Sequence, residues 1–164
     1  MAFSVSSNSF KDGDTLAMTH VGSADHGFGC SGGNQSPHLK WSGAPEGTKS
    51  FAITCYDPDA PTGSGFWHWL VVNIPPEVTE LAPGAGSQGG VLPKGALQTR
   101  TDYGFAGYGG PCPPEGDKPH RYQFTVFAVN EVLGVKADTP AAQIGFNLHF
   151  KTIAKASITG LFKR

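Results

Sequence analysis

The chain has 164 residues, with 12 Lys and Arg against 13 Asp and Glu, a formal net charge of −1, and 38% hydrophobic residues. Near-neutral charge excludes a global field that would draw in nucleic acid or an acidic membrane, and the longest apolar run, Leu70-Val71-Val72, is far too short to cross a bilayer. One domain over residues 1–164 is expected, turn-rich with 23 Gly and 13 Pro, and large enough to need no covalent staple.

In chain order, Met1-Ala2-Phe3-Ser4 has neither a basic nor an apolar leader stretch, so no secretory signal is expected and a cytoplasmic location is inferred. Phe3 to Val5 predicts a first strand, and the loose alternation from Thr15 to Val21 a second. Ser23 to Ser36 is a polar, Gly-rich loop, and Ser36-Pro37 returns the chain to extended structure toward Trp41. Ser50 to Tyr56 has the composition of a core strand. It runs directly into the turn Asp57-Pro58-Asp59-Ala60-Pro61. Trp67 to Ile74 is a near-continuous apolar run, the pattern of a central strand covered on both sides, and Pro75-Pro76 stops it. Glu77 to Gly110 is loop-like and long, which points to a part in shaping a site. Arg121 to Val129 predicts another strand. Ala137 to Pro140 predicts a helix start capped by Asp138 or Thr139 and running to about Lys151; Ser157 to Phe162 predicts a closing strand. The expected class is therefore mainly β, with one or two short helices and a C-terminal strand.

Cys30, Cys55 and Cys112 are three, an odd number, which excludes a complete disulfide framework and predicts a reducing compartment. None of their spacings is that of a zinc ribbon. Cys112, in Gly110-Pro111-Cys112-Pro113-Pro114, reads as a small residue in a tight turn.

Two polar clusters stand at strand ends. In the first, Pro58 and Pro61 stiffen the turn, Asp59 reads as a structural acceptor for local N–H groups, and Asp57 sits at the mouth of the strand before it. Strand alternation sets His68 on the face opposite Trp67 and Trp69, with Asp57 as its expected hydrogen-bond partner. In the second, His120 and Tyr122 share a strand face, and Arg121 points away as a structural cation. His20, His26, His38 and His149 read as surface or local hydrogen bonders. Convergence of Asp57, His68, His120 and Tyr122 would make a polar cup in a β core, suited to an anion or a head group bearing one. No Gly-x-Ser-x-Gly elbow or Gly-rich phosphate loop is present, and no metal spacing supports zinc on Asp57, His68 and His120. No cofactor is expected. A hydrolase or lyase using Asp57, His68 and His120 is the alternative to a non-enzymatic binding protein.

Gly33-Asn34-Gln35-Ser36-Pro37 with Leu39 and Trp41, Asp57-Pro58-Asp59-Ala60-Pro61, His68 to Asn73 with Ile74-Pro75, and Tyr108 to Tyr122 with its Cys-Pro-Pro and His-Arg-Tyr together resemble the phosphatidylethanolamine-binding protein family. The likeness covers nearly the whole chain and is greatest to the bacterial, Raf-kinase-inhibitor-like branch, whose members stop without the extra C-terminal helix of animal ones. The resemblance implies an antiparallel β-sandwich with a small anion pocket formed by Asp57, His68, Cys112, Pro113, His120 and Tyr122. It also implies a phosphate-like or phospholipid head-group ligand, a kinase-like protein partner, and a homodimer to which residues 77–110 contribute. Animal members carry Gly at the positions of Cys112 and Lys118. Because free histidine titrates near pH 6.5, anion affinity is expected to rise as pH falls from about 7.5 to about 5.5.

Overall fold

The computed structural model describes residues 2–164; Met1, the first residue of the leader reading, lies outside the described residues. Among the described residues, eight strands form two antiparallel sheets. β1 (Ser4–Ser6), β2 (Leu39–Ser42) and β5 (Glu80–Leu81) make a small sheet in the order β1-β2-β5. β3 (Ser50–Asp57), β4 (Phe66–Ile74), β6 (Leu97–Gln98), β7 (His120–Val129) and β8 (Thr152–Phe162) make a larger one in the order β6-β4-β3-β7-β8.

The core between the sheets contains Leu39 and Trp41 from β2, Phe51, Ile53 and Cys55 from β3, Trp69, Val71 and Ile74 from β4, and Phe124 and Val126 from β7. On the outer face of the larger sheet, Ala52, Leu70, Val72 and Val129 pack against helix α1 (Ala141–Lys151) through Ala141, Ile144 and Leu148. The near-continuous apolar runs of β3 and β4 follow from this, since both faces are covered. Each large aliphatic or aromatic side chain so buried contributes roughly 1.5–3 kcal/mol. Outside this packing, Phe146 and Phe150 of α1 stay exposed and rest on one another.

Three expected elements differ. Thr15 makes a single bridge to Leu161 rather than starting a strand, and Met18–His20 is a 3₁₀ turn. Local alternation there is overridden by docking on β8: Gly13 N–H donates to Thr159 O and Leu16 N–H to Leu161 O, and His20 turns inward to donate from Nδ1 to Gln35 O. The helix begins after Pro140 without a side-chain cap, because Thr139 Oγ1 accepts from Lys136 N–H instead. β8 starts at Thr152, directly after the helix, rather than at Ser157.

A larger correction concerns the cysteines. Cys30 and Cys112, 82 residues apart, form a disulfide, and Cys55 is the free, buried one. An odd count leaves one thiol unpaired but does not forbid one bond, and loops that meet only in the fold show no spacing signal. Cys112 is thus neither a small turn filler nor a free thiol, and the inference of a reducing compartment from the count does not hold.

Candidate functional site

The site rests on a bulge. Tyr56 pairs with Trp67 and Cys55 with Trp69, so His68 is an extra residue with no partner on β3. The inserted residue breaks the alternation: Trp67 packs on the outer, helix-covered face, while His68 and Trp69 both turn to the inner one. The expectation that both tryptophans oppose His68 therefore holds only for Trp67. The β3–β4 turn just beyond is tight: Gly65 has φ +73°, and a Cβ there would meet the Tyr56 hydroxyl at 2.3 Å.

At this end of the larger sheet lies a hollow of about 190 Å³. Asp57, His68, Cys112, Pro113, His120 and Tyr122 all line it, and so do Phe28, Phe66 and Tyr103. Of the turn residues, Pro61 lines it, whereas Pro58 and Asp59 do not. The aromatic rings and Phe28 were missed in the sequence. Phe66 opens β4 and stands out only once the bulge is known, and Tyr103 lies in the non-periodic 77–110 segment, which does shape the hollow.

The two histidines are held differently. His68 Nδ1–H donates to Gly109 O at 2.7 Å, not to Asp57 as expected, because Gly109 also donates its N–H to His68 O and so lies alongside β4. Asn34 fixes that segment from both sides: its Nδ2 donates to Tyr108 O at 3.1 Å, and its Oδ1 accepts from Gly110 N–H at 2.7 Å. The His68 ring lies 4.9 Å from Phe66, 5.2 Å from Tyr122 and 5.5 Å from Tyr103, centroid to centroid. Burial pushes its pKa down to about 4, although the carbonyls of Gly109 and Gly110 oppose the shift. His68 is therefore neutral at neutral pH, protonated on Nδ1, with an unprotonated Nε2.

His120 is instead a clamped cation. Its Nδ1–H donates to Asp57 Oδ2 at 2.7 Å, with both side chains 2% exposed, and its Nε2–H donates to Asp117 Oδ2 at 2.9 Å. Burial alone would lower its pKa, but the two carboxylates outweigh burial and raise it above the ordinary value. Asp57 is pushed up by burial and pulled back by His120 and by the Asp59 N–H that it accepts. The geometry thus gives a different titration from the sequence expectation: His68 does not charge between pH 7.5 and 5.5.

Asp59 accepts not from local N–H groups, as expected, but from Arg121 of β7, taking its N–H at 2.9 Å, Nε at 3.0 Å and Nη2 at 2.9 Å, and this pairing holds its carboxyl at about 2; the local turn bond runs from Asp59 N–H to Asp57 Oδ1. Of the other histidines, His38 is buried against Glu80 and His26 stacks on Tyr103. The described residues include no cluster of three or more His, Cys, Asp or Glu arranged for a metal ion, and no helix long and apolar enough to cross a membrane.

Residues 6–163 match the phosphatidylethanolamine-binding protein family. The Escherichia coli protein YbcL is 56% identical over 99% of this chain and 88% of its own length, and E. coli YbhB is 52% identical over 95% and 97%. The fold superposes on the crystal structure of E. coli YbcL, described as a new member of the mammalian PEBP family, with a TM-score of 0.95 at 55% identity, covering 100% of this chain and 99% of that one. It also superposes on the homologue CT736 of Chlamydia trachomatis with a TM-score of 0.81 at 29% identity, covering 99% and 98%. With the fold and the match over nearly its full length in agreement, the chain belongs to the phosphatidylethanolamine-binding protein family.

Proposed function

We propose that the hollow binds a small phosphate-like or phospholipid head-group ligand without turning it over. The observation that carries this reading is the contrast between its two imidazoles. His68 offers a neutral, unprotonated Nε2 that can accept from a protonated phosphate oxygen or an ammonium. Behind it, the Asp57–His120 pair supplies a fixed dipole. The aromatic and proline walls exclude water, which strengthens both interactions. Summed over Asp57, Asp117 and His120⁺ the inner cluster carries −1, which favours a zwitterion over a bare dianion.

Turnover here would fall to a water activated by His68 Nε2, because the hollow's own sulfur and hydroxyl groups are otherwise engaged. Cys112 is bonded to Cys30, Thr62 Oγ1 donates to Gly65 O, and burial raises the pKa values of Tyr103 and Tyr122. Regulation of a protein partner through the exposed rim at Phe28 and Pro114 belongs to the same proposal.

Titration calorimetry with phosphorylethanolamine tests the reading. Wild type is expected to bind and His68→Ala to lose binding while keeping its fold by circular dichroism. Binding by His68→Ala at wild-type affinity would put the site elsewhere, and hydrolysis of phosphoesters by wild type but not by His68→Ala would replace binding by catalysis.

A further inference from the structure

One wall of the hollow is not held by a sheet. Phe28 sits on the 22–30 loop, and Cys112, Pro113 and Pro114 on the segment facing it. The ties between them are few. Gly22 N–H donates to Pro111 O at 2.8 Å, and Arg164 bridges the two segments by donating from Nη2 to Phe28 O at 3.1 Å and from Nε to Pro113 O at 2.8 Å. The remaining tie is covalent, Cys30–Cys112. The two sulfur-bearing residues are unequally accessible: Cys30 is 6% exposed, whereas Cys112 is partly exposed and lines the hollow. The third cysteine cannot join an exchange, because Cys55 is 0% exposed in the sandwich core and burial pushes its thiol pKa well up.

We propose that Cys112 is a site of thiol–disulfide exchange with a small dithiol that enters through the hollow, and that exchange there and ligand binding exclude one another. The attacking thiolate forms a bond to Cys112 Sγ as the Cys30–Cys112 bond breaks, and Cys30 leaves as a thiolate that takes up a proton. The second thiol of the reagent then attacks its own sulfur in the mixed disulfide and releases Cys112, which is protonated in turn. The dithiol ends as a disulfide, and the protein ends with two thiols. With Cys55 sealed off no other pairing is open to the chain, so the bond opens and closes as one switch. Opening it leaves the Phe28 wall held by the few hydrogen bonds above and by the packing of His26 and Phe28 on Tyr103, with no covalent tie. A ligand in the hollow covers Cys112, so it slows reduction; a loosened wall must be reordered on binding, so reduction weakens affinity. The reciprocal of the weakened affinity is that ligand favours the oxidised form at equilibrium; the slowing of reduction is a separate effect of covering Cys112.

The ligand half of this proposal rests on the function proposed above; the exchange half does not. Full-length oxidised protein is treated with dithiothreitol, quenched with iodoacetamide and weighed by mass spectrometry, with and without saturating phosphorylethanolamine. Ligand is expected to slow reduction by about fivefold or more, and reduction to weaken phosphorylethanolamine binding by about five- to tenfold, as expected for restoring order to one or two side chains. Two readouts need no ligand. With the monothiol glutathione, peptide mapping is expected to find the mixed disulfide on Cys112 and not Cys30, and amide exchange in residues 22–30 is expected to speed up on reduction. An adduct on Cys30, or unchanged exchange in residues 22–30, overturns the exchange site and its wall. If the adduct lies on Cys112 but ligand leaves the rate unchanged, the mutual exclusion falls. If oxidised protein binds no phosphorylethanolamine, it is the proposed function that fails, while the adduct and amide exchange still decide the exchange site. The double variant Cys30→Ser with Cys112→Ser reproduces the open state, and reversibly reduced wild type gives the same reading should that variant not fold.

Discussion

The floor of the hollow and its rim are built from different materials. The floor is sheet: Asp57 ends β3, His68 is the bulge of β4, and His120 and Tyr122 begin β7, whose ladder with β3 runs unbroken from Ser50–Val129 to Tyr56–Gln123. The rim is loop, held by single hydrogen bonds, one disulfide and the Arg164 bridge. The teaching of this contrast is that the buried ion pair sits where strand ladders hold the backbone. Asp57 and His120 are both 2% exposed on the floor, while Asp117, their counterpart at the rim, has a side chain 39% exposed. A buried ion pair needs fixed geometry to offset desolvation, and strand ends supply it.

The largest expected effect comes from breaking the floor. Asp57→Ala leaves a buried imidazolium facing an empty space and removes the acceptor of Asp59 N–H, so it is expected to cost about 3–5 kcal/mol in urea unfolding. Asp57→Asn, which keeps an acceptor oxygen, is expected to cost clearly less. Asp59→Ala breaks an ion pair whose arginine side chain is 54% exposed and whose carboxylate, 11% exposed, also accepts from Arg121 N–H, and is expected to cost less, about 1–2 kcal/mol. Equal losses for Asp57→Ala and Asp59→Ala would erase the distinction between floor and surface.

An intermediate effect is expected where floor and rim meet. Asn34, at φ +49°, bonds Tyr108 O and Gly110 N–H and thereby places Gly109 O against His68 Nδ1. Asn34→Ala is expected to cost about 1–2 kcal/mol, the scale of a lost partly buried hydrogen-bond pair, and to weaken phosphorylethanolamine binding although Asn34 does not line the hollow. The buried His68 Nδ1 proton is expected to exchange slowly in wild type, and its loss from the NMR spectrum of Asn34→Ala is the specific sign. Weakened stability with that proton and the affinity intact would make Asn34 a plain loop anchor.

The same division marks what could be read from the sequence. Strands β3, β4 and β7 were legible because their β-branched and aromatic runs end at proline or at charged turns, and with them came Asp57, His68, His120 and Tyr122. The bulge was not legible, since an inserted residue is defined by its pairing with another strand, and so the direction of Trp69 and the partner of His68 were misjudged. The rim was opaque for a related reason. Tyr103, Gly109 and Phe28 lie in segments whose backbone hydrogen bonds close local turns or reach single residues of β4, so no period in their own sequence betrays them. The Cys30–Cys112 bond joins two such segments across 82 residues, and the odd cysteine left in β3 disguised it.

The smallest expected effect belongs to the rim charge. Asp117 is one of two carboxylates that raise the pKa of His120. A histidine whose folded pKa lies above its unfolded value contributes stability that is full below about pH 6.5 and is lost as pH rises through the folded pKa. Wild type is therefore expected to be less stable at pH 9 than at pH 6 through this group. Asp117→Asn keeps a hydrogen-bond acceptor but removes the charge, so the folded pKa of His120 moves down and the loss becomes smaller and complete at lower pH. Because Asp117 is partly in solvent, the difference is expected to stay under about 1 kcal/mol. It is best read as the change in urea midpoint between the two pH values, with the His120 ring titration followed by NMR. An unshifted ring titration in Asp117→Asn would mean that Asp57 alone holds the proton on His120, and that the rim carries no part of the floor's charge.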